Sequence, residues 1–106
     1  MKARRVSKKY PLPAAVQVGD DWYRVDRPEV IPGCRGECDY GTKTINVASR
    51  SAGYTYTSLE QFNTFWHELT HAILNDMGSP LEADEKFVSA FSDRLTKAIT
   101  SAKFGE

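Results

Sequence analysis

The order of patterns along this 106-residue chain predicts an α+β domain, a small antiparallel sheet of two hairpins packed on a helical hairpin. Short runs rich in β-branched and aromatic residues, punctuated by Gly and Pro, fill the first half. Two runs with a 3.6-residue apolar period fill the second and meet at Gly78-Ser79-Pro80. With 41% hydrophobic and 26% charged residues, the chain suits one modest core. We therefore expect a single domain over residues 11–106, preceded by a basic, flexible N-terminal arm over residues 1–10.

The strands are expected as follows. Residues 15–18 and 22–25 flank Gly19-Asp20-Asp21 as one hairpin, and Val30-Ile31 lies between two prolines. Residues 37–40 and 42–48 flank Gly41 as a second hairpin. In its return strand Ile45 and Val47 point to the core while Thr44 and Asn46 face out.

The helices have start and stop signals. Thr57-Ser58-Leu59-Glu60 has capping-box form, and Gly78 followed by Ser79-Pro80 ends the segment. At about 100° per residue, Leu59, Phe62, Phe65, Trp66, Leu69, Ile73 and Met77 gather on one side. A second helix is expected over residues 80–103, with Phe87, Val88, Phe91, Leu95, Ala98 and Ile99 on its apolar face. Ser79-Pro80-Leu81-Glu82 reads as its capping box, with proline at the first helical position.

Within the first helix stands His67-Glu68-Leu69-Thr70-His71, which holds both histidines of the chain. Residues at i and i+4 share a helix face, so both imidazoles can reach one ion while Glu68 stands beside it. They project opposite the apolar stripe. This donor set suits zinc, whose catalytic sites usually combine three protein ligands with a position for water, and Glu68 would take a proton from that water. Ligand type is also what favours zinc over manganese, iron or cobalt.

A third ligand is sought among Glu82, Asp84 and Glu85. If the two helices run antiparallel about Gly78, residues equally distant from it lie at one height: His71 is seven before and Glu85 seven after. Glu85 is ranked first. Glu82 is second because of its capping role, and Asp84 third, since it projects near the centre of the apolar face and suits an N-cap or a histidine partner equally well. The outer ring nitrogens of the histidines need acceptors, for which a backbone carbonyl, Asp84 or Asp76 are the candidates.

The window Phe65-Trp66-His67-Glu68-Leu69-Thr70-His71-Ala72-Ile73-Leu74, followed by Asp84-Glu85-Lys86-Phe87-Val88, resembles small phage and prophage zincin-type metallopeptidases, minimal gluzincin cores of the ImmA/IrrE-like and SprT-like kind. The resemblance implies His67, His71 and Glu85 as zinc ligands and Glu68 as catalytic acid/base of a hydrolase that cleaves a peptide bond. Its substrate would be a protein or peptide; the expected location, since the first residues lack the apolar segment a secretory signal needs, is the cytoplasm, of a bacterial host if the chain is phage-encoded. It further implies an edge strand along the cleft that holds an extended peptide, for which residues 42–48 are the best match. The stretch Glu82-Ala83-Asp84-Glu85 departs from the Glu-Ala-Asn-x-Phe-Ala form common in the ImmA-like group. Two other readings stay open: a non-catalytic, metal-binding regulatory phage domain, and a zinc amide hydrolase acting on non-protein material.

Other features carry less. Lys2, Arg4, Arg5, Lys8 and Lys9 give the first ten residues +5, which leaves −5 for the rest because the sum is zero. Nucleic-acid contact through this arm is the weaker reading beside plain solvation. Cys34 and Cys38, spaced C-x-x-x-C, offer half of a four-ligand zinc site whose other half is missing, and two thiols near a turn are expected. Tyr40, Arg50, Tyr54 and Tyr56 are candidates for stabilising an oxyanion. No apolar run is long enough for a membrane span.

Overall fold

A computed structural model describes residues 10–105. Among these residues six strands precede two helices: β1 (Ala15–Val18), β2 (Asp21–Asp26), β3 (Gly36–Asp39), β4 (Thr44–Val47), β5 (Arg50–Ser51), β6 (Tyr54–Thr55), α1 (Ser58–Asp76) and α2 (Glu85–Ser101). The strands-then-helices order is the α+β arrangement expected. The basic arm lies outside the described residues except for Tyr10. No described helix is long and apolar enough to cross a membrane.

Both expected hairpins form. β1 pairs antiparallel with β2 (Val18 opposite Asp21), and β3 antiparallel with β4 (Cys38 opposite Ile45). They are joined by a parallel pairing of β2 with β4, so the sheet is mostly rather than wholly antiparallel and its order is β1-β2-β4-β3. This corrects the expectation for residues 42–48. The strand there is interior, and β3 forms the edge. In β4, Ile45 and Val47 have no exposed surface, and Thr44 is buried too rather than facing out, as befits a strand with neighbours on both sides. β3 alternates half-buried Gly36 and Cys38 with exposed Glu37 and Asp39, and such charges suit an edge that must resist indiscriminate pairing. Residues 48–56 contain the β5–β6 ribbon.

The capping box at Thr57 is closed: its hydroxyl accepts from the Glu60 N–H at 3.0 Å, and Glu60 Oε1 accepts from the Thr57 N–H at 2.8 Å. At the far end Gly78 takes φ +69°, a left-handed conformation that costs glycine little, and the next N–H, of Ser79, donates to the Leu74 carbonyl at 2.9 Å. Between these ends α1 packs across the sheet. Phe65, Leu69 and Ala72 join Val18, Tyr23, Val25, Ile45 and Val47 in one core. The apolar stripe is wider than that core: Ile73 and Met77, at its lower end, are exposed, Met77 by 67%.

The second helix differs more from expectation. Residues 80–83 form a 3-10 turn, and α2 begins only at Glu85, because Asp84 takes an extended backbone and caps it, accepting from the Phe87 N–H at 3.0 Å. Asp84 is therefore an exposed N-cap and not part of the apolar face. Ser79 caps the 3-10 turn by accepting from the Leu81 N–H, but Glu82 does not complete a capping box there, since its carboxylate turns toward Tyr40. The face of α2 laid on α1 centres on Val88, Ser92 and Thr96, whereas Phe91 and Ala98 are exposed. The two hydroxyls are tolerated in that interface because they bond within the helix, Thr96 to the Ser92 carbonyl at 2.8 Å and Ser92 to that of Ser89 at 3.4 Å.

Candidate metal centre

Between the edge strand and the two helices lies an open cleft of about 620 Å³. Its floor is the face of α1 that carries His67, Glu68 and His71; one wall is β3 and the preceding turn, and the other is α2 with the 3-10 turn. The closeness of strand and floor depends on Gly36. A Cβ there would stand 2.5 Å from Thr64 Cγ2, 3.0 Å from the Asn46 carbonyl oxygen and 3.2 Å from Glu68 Cγ. Only glycine lets β3 lie this near the helix.

His67 and His71 turn their Nε2 atoms toward one carboxylate. His67 Nε2 is 2.7 Å from Glu85 Oε2, and His71 Nε2 is 3.1 Å from Glu85 Oε1. One donor atom from each of the three side chains can be chosen so that all lie within 4.8 Å of one another. A tetrahedral site with bonds of about 2.0–2.1 Å needs donor separations near ~3.3 Å. The Glu85 side chain is 66% exposed and can withdraw by the few tenths of an ångström required. The break at Asp84 creates this placement, since it puts Glu85 in the first turn of α2, where the helix dipole favours a carboxylate.

The other edge of each ring is also occupied. His71 Nδ1 lies 3.0 Å from the backbone carbonyl of Glu82, a group that can accept but not donate, so the proton belongs on Nδ1. A neutral His71 then presents a bare Nε2 lone pair to Glu85 Oε1, acceptor against acceptor. A cation, whether a proton or a metal ion, reconciles them. His67 Nδ1 is 3.4 Å from Ser92 Oγ. Neither Asp76 nor Asp84, the carboxylates considered from the sequence, serves this purpose: Asp84 caps α2, and Asp76 sits under the β1–β2 turn against Gly19.

Glu68 is only 8% exposed, lines the cleft, and makes no hydrogen bond or ion pair among the described residues. Burial is the main reason its carboxyl is pushed up to about 7; nearby His71 lowers it, and Glu85 and Glu37 raise it further. An unpaired carboxylate in such surroundings is costly to keep for packing alone. Cys34 and Cys38 are both free and line the same cleft. Burial above all holds both thiols high, that of Cys38 at about 12, so they stand there protonated.

Of the candidates for an oxyanion partner, Tyr40 alone lines the cleft. Tyr54 donates to Glu60 at 3.0 Å, Tyr56 lies under the Arg35 guanidinium, and Arg50 pairs with Glu29 at 3.1 Å. Gly36, Ser92, Arg35 and the Asn63–Asp93 pair at the end of the cleft were missed by sequence reasoning. Gly36 had a signal, a lone glycine at the mouth of a strand pattern. Among family models, curated proteins and solved structures, none matches this chain.

Proposed function

We propose that this chain is a zinc-dependent metallopeptidase of minimal zincin type, with His67, His71 and Glu85 as metal ligands and Glu68 as the acid/base. One observation carries the reading: two imidazole Nε2 atoms converge on the two oxygens of Glu85, and an unpaired, buried carboxylate shares their cleft. Zinc bound there would supply Lewis acidity, polarising a carbonyl and lowering the pKa of water. Glu68, with its affinity for protons raised to about 7, is suited to accept a proton from the attacking water and return it to the leaving amine. His71, with Nδ1 engaged by the Glu82 carbonyl, keeps Nε2 as its donor atom. Along one wall β3 pairs with no strand on its outer side among the described residues, so an extended peptide can lie beside it and exchange backbone hydrogen bonds. That edge supports a peptide rather than a small molecule as substrate.

The test is bound metal and peptide cleavage measured in the natural protein, in Glu68→Gln and in His71→Ala. Glu68→Gln should hold zinc and lose turnover, whereas His71→Ala should lose both. Equal cleavage by all three would refute the enzymatic reading. Zinc retention in Glu85→Ala, beside Glu82→Ala and Asp84→Ala, tests the third ligand, and it should fall steeply for Glu85→Ala alone.

A further inference from the structure

We infer that Tyr40 is a positioning residue for the metal centre, acting through Glu82 to hold His71 in the ring orientation and tautomer that leave Nε2 available; the inference rests on the metal-site reading above. The Tyr40 hydroxyl donates to Glu82 Oε2 at 2.6 Å, a short, charge-assisted bond, and also lies 3.4 Å from the backbone carbonyl of His71. Glu82 in turn faces the Nδ1 edge of His71 twice, with its carbonyl oxygen at 3.0 Å and with Oε2 at 3.6 Å.

The interruption of helical structure at Asp84 makes this tie useful. Residues 80–83 form a single 3-10 turn rather than an α-helix, so the Glu82 carbonyl is left for the imidazole, but a lone turn is a soft support. Tyr40 stiffens it from outside. Because Tyr40 follows the edge strand β3 directly, the bond also links the β3 wall of the cleft, through Glu82 on the opposite wall, to His71 on the floor. The same bond explains why Glu82, within reach of His71, is not the carboxylate that meets both imidazoles: its oxygen is held by the phenol while Glu85 spans the two Nε2 atoms.

The experiment compares the natural protein with Tyr40→Phe, which removes one oxygen and keeps the ring, and with Glu82→Gln. Zinc affinity is measured by competition with a chromophoric chelator, the His71 Nδ1 proton by NMR on the metal-free protein, and the melting temperature of the metal-free protein is followed alongside. Tyr40→Phe should lower zinc affinity by about 10-fold, within the range of about 10–100-fold typical of partners that orient a ligand. It should also speed exchange of the His71 Nδ1 proton with water, while the metal-free melting temperature stays near that of the natural protein. Glu82→Gln should give a smaller shift of both in the same direction. Zinc affinity within twofold of the natural protein, together with an unchanged imidazole proton, would overturn the inference, and so would unfolding of Tyr40→Phe, since the hydroxyl would then hold the fold and not the ring. Failure of the natural protein itself to bind zinc would defeat the metal-site reading, while the imidazole proton would still decide whether Tyr40 orients His71.

Discussion

Gly36→Ala tests whether close approach of the edge strand to α1 is what builds the cleft. The added methyl would lie 2.5 Å from Thr64 Cγ2, about 1–1.5 Å inside the ~3.5–4.0 Å optimum for two carbons. Its other neighbours, the Asn46 carbonyl oxygen at 3.0 Å and Glu68 Cγ at 3.2 Å, leave little room for retreat, because Asn46 belongs to the backbone of interior strand β4. Overpacking of this kind costs about 1–3 kcal/mol. Gly36 is not among the glycines with positive φ, so alanine also gains about 0.4–1 kcal/mol through the unfolded state. The net loss should be about 1–2 kcal/mol, a fall in melting temperature of the order of 4–15 °C for a domain of this size. Thr64→Ser removes the methyl in the worst contact. Alone it should cost about 0.8 kcal/mol for one buried carbon, but in the Gly36→Ala background it should recover stability. Urea denaturation of the four proteins measures the coupling, and simple additivity of the two changes would refute the packing argument.

Other consequences can be checked the same way. Phe65→Ala, which empties the centre of the shared core, should destabilise by about 3–5 kcal/mol in urea titrations. Thr57→Ala should cost about 1 kcal/mol through loss of the N-cap. The Glu60 carboxyl is held below its usual range, first by the Thr57 backbone N–H that donates to it. Its contribution is therefore present above about pH 4.3 and is lost as pH falls through the lower folded value, so Glu60→Gln should be less stable than the natural protein at neutral pH and converge with it in acid. Zinc at 100 times its Kd should stabilise the chain by about 2.7 kcal/mol, a gain reversed by a chelator, kept in Glu68→Gln and lost in His67→Ala.

Local patterns carried a large share of the fold because the physics behind them is local. A threonine three residues before a glutamate closes a capping box whatever the rest of the chain does, and a glycine at position 78 can adopt the left-handed turn that ends α1. The two hairpins were legible for the same reason, since each joins neighbouring runs. The i, i+4 spacing of His67 and His71 puts both rings on one helix face, and equal distance from Gly78 ranks Glu85 first among three acids, but it is the break at Asp84, and not a helix continuous from residue 80, that sets Glu85 opposite them.

Sequence by itself thus determined the α+β order and the helix that carries the histidines, and narrowed the carboxylate opposite them to three neighbouring acids. Tertiary structure alone decided which strand is the edge, because the parallel pairing of β2 with β4 is a long-range choice that no local run encodes. It also decided that Asp84 caps α2, that Glu82 serves His71 by its carbonyl, and that Glu68 is buried without a partner among the described residues. Each of these depends on what lies across a gap in space from a residue far along the chain, and burial, pKa and hydrogen-bond partnership are properties of that neighbourhood and not of the residue.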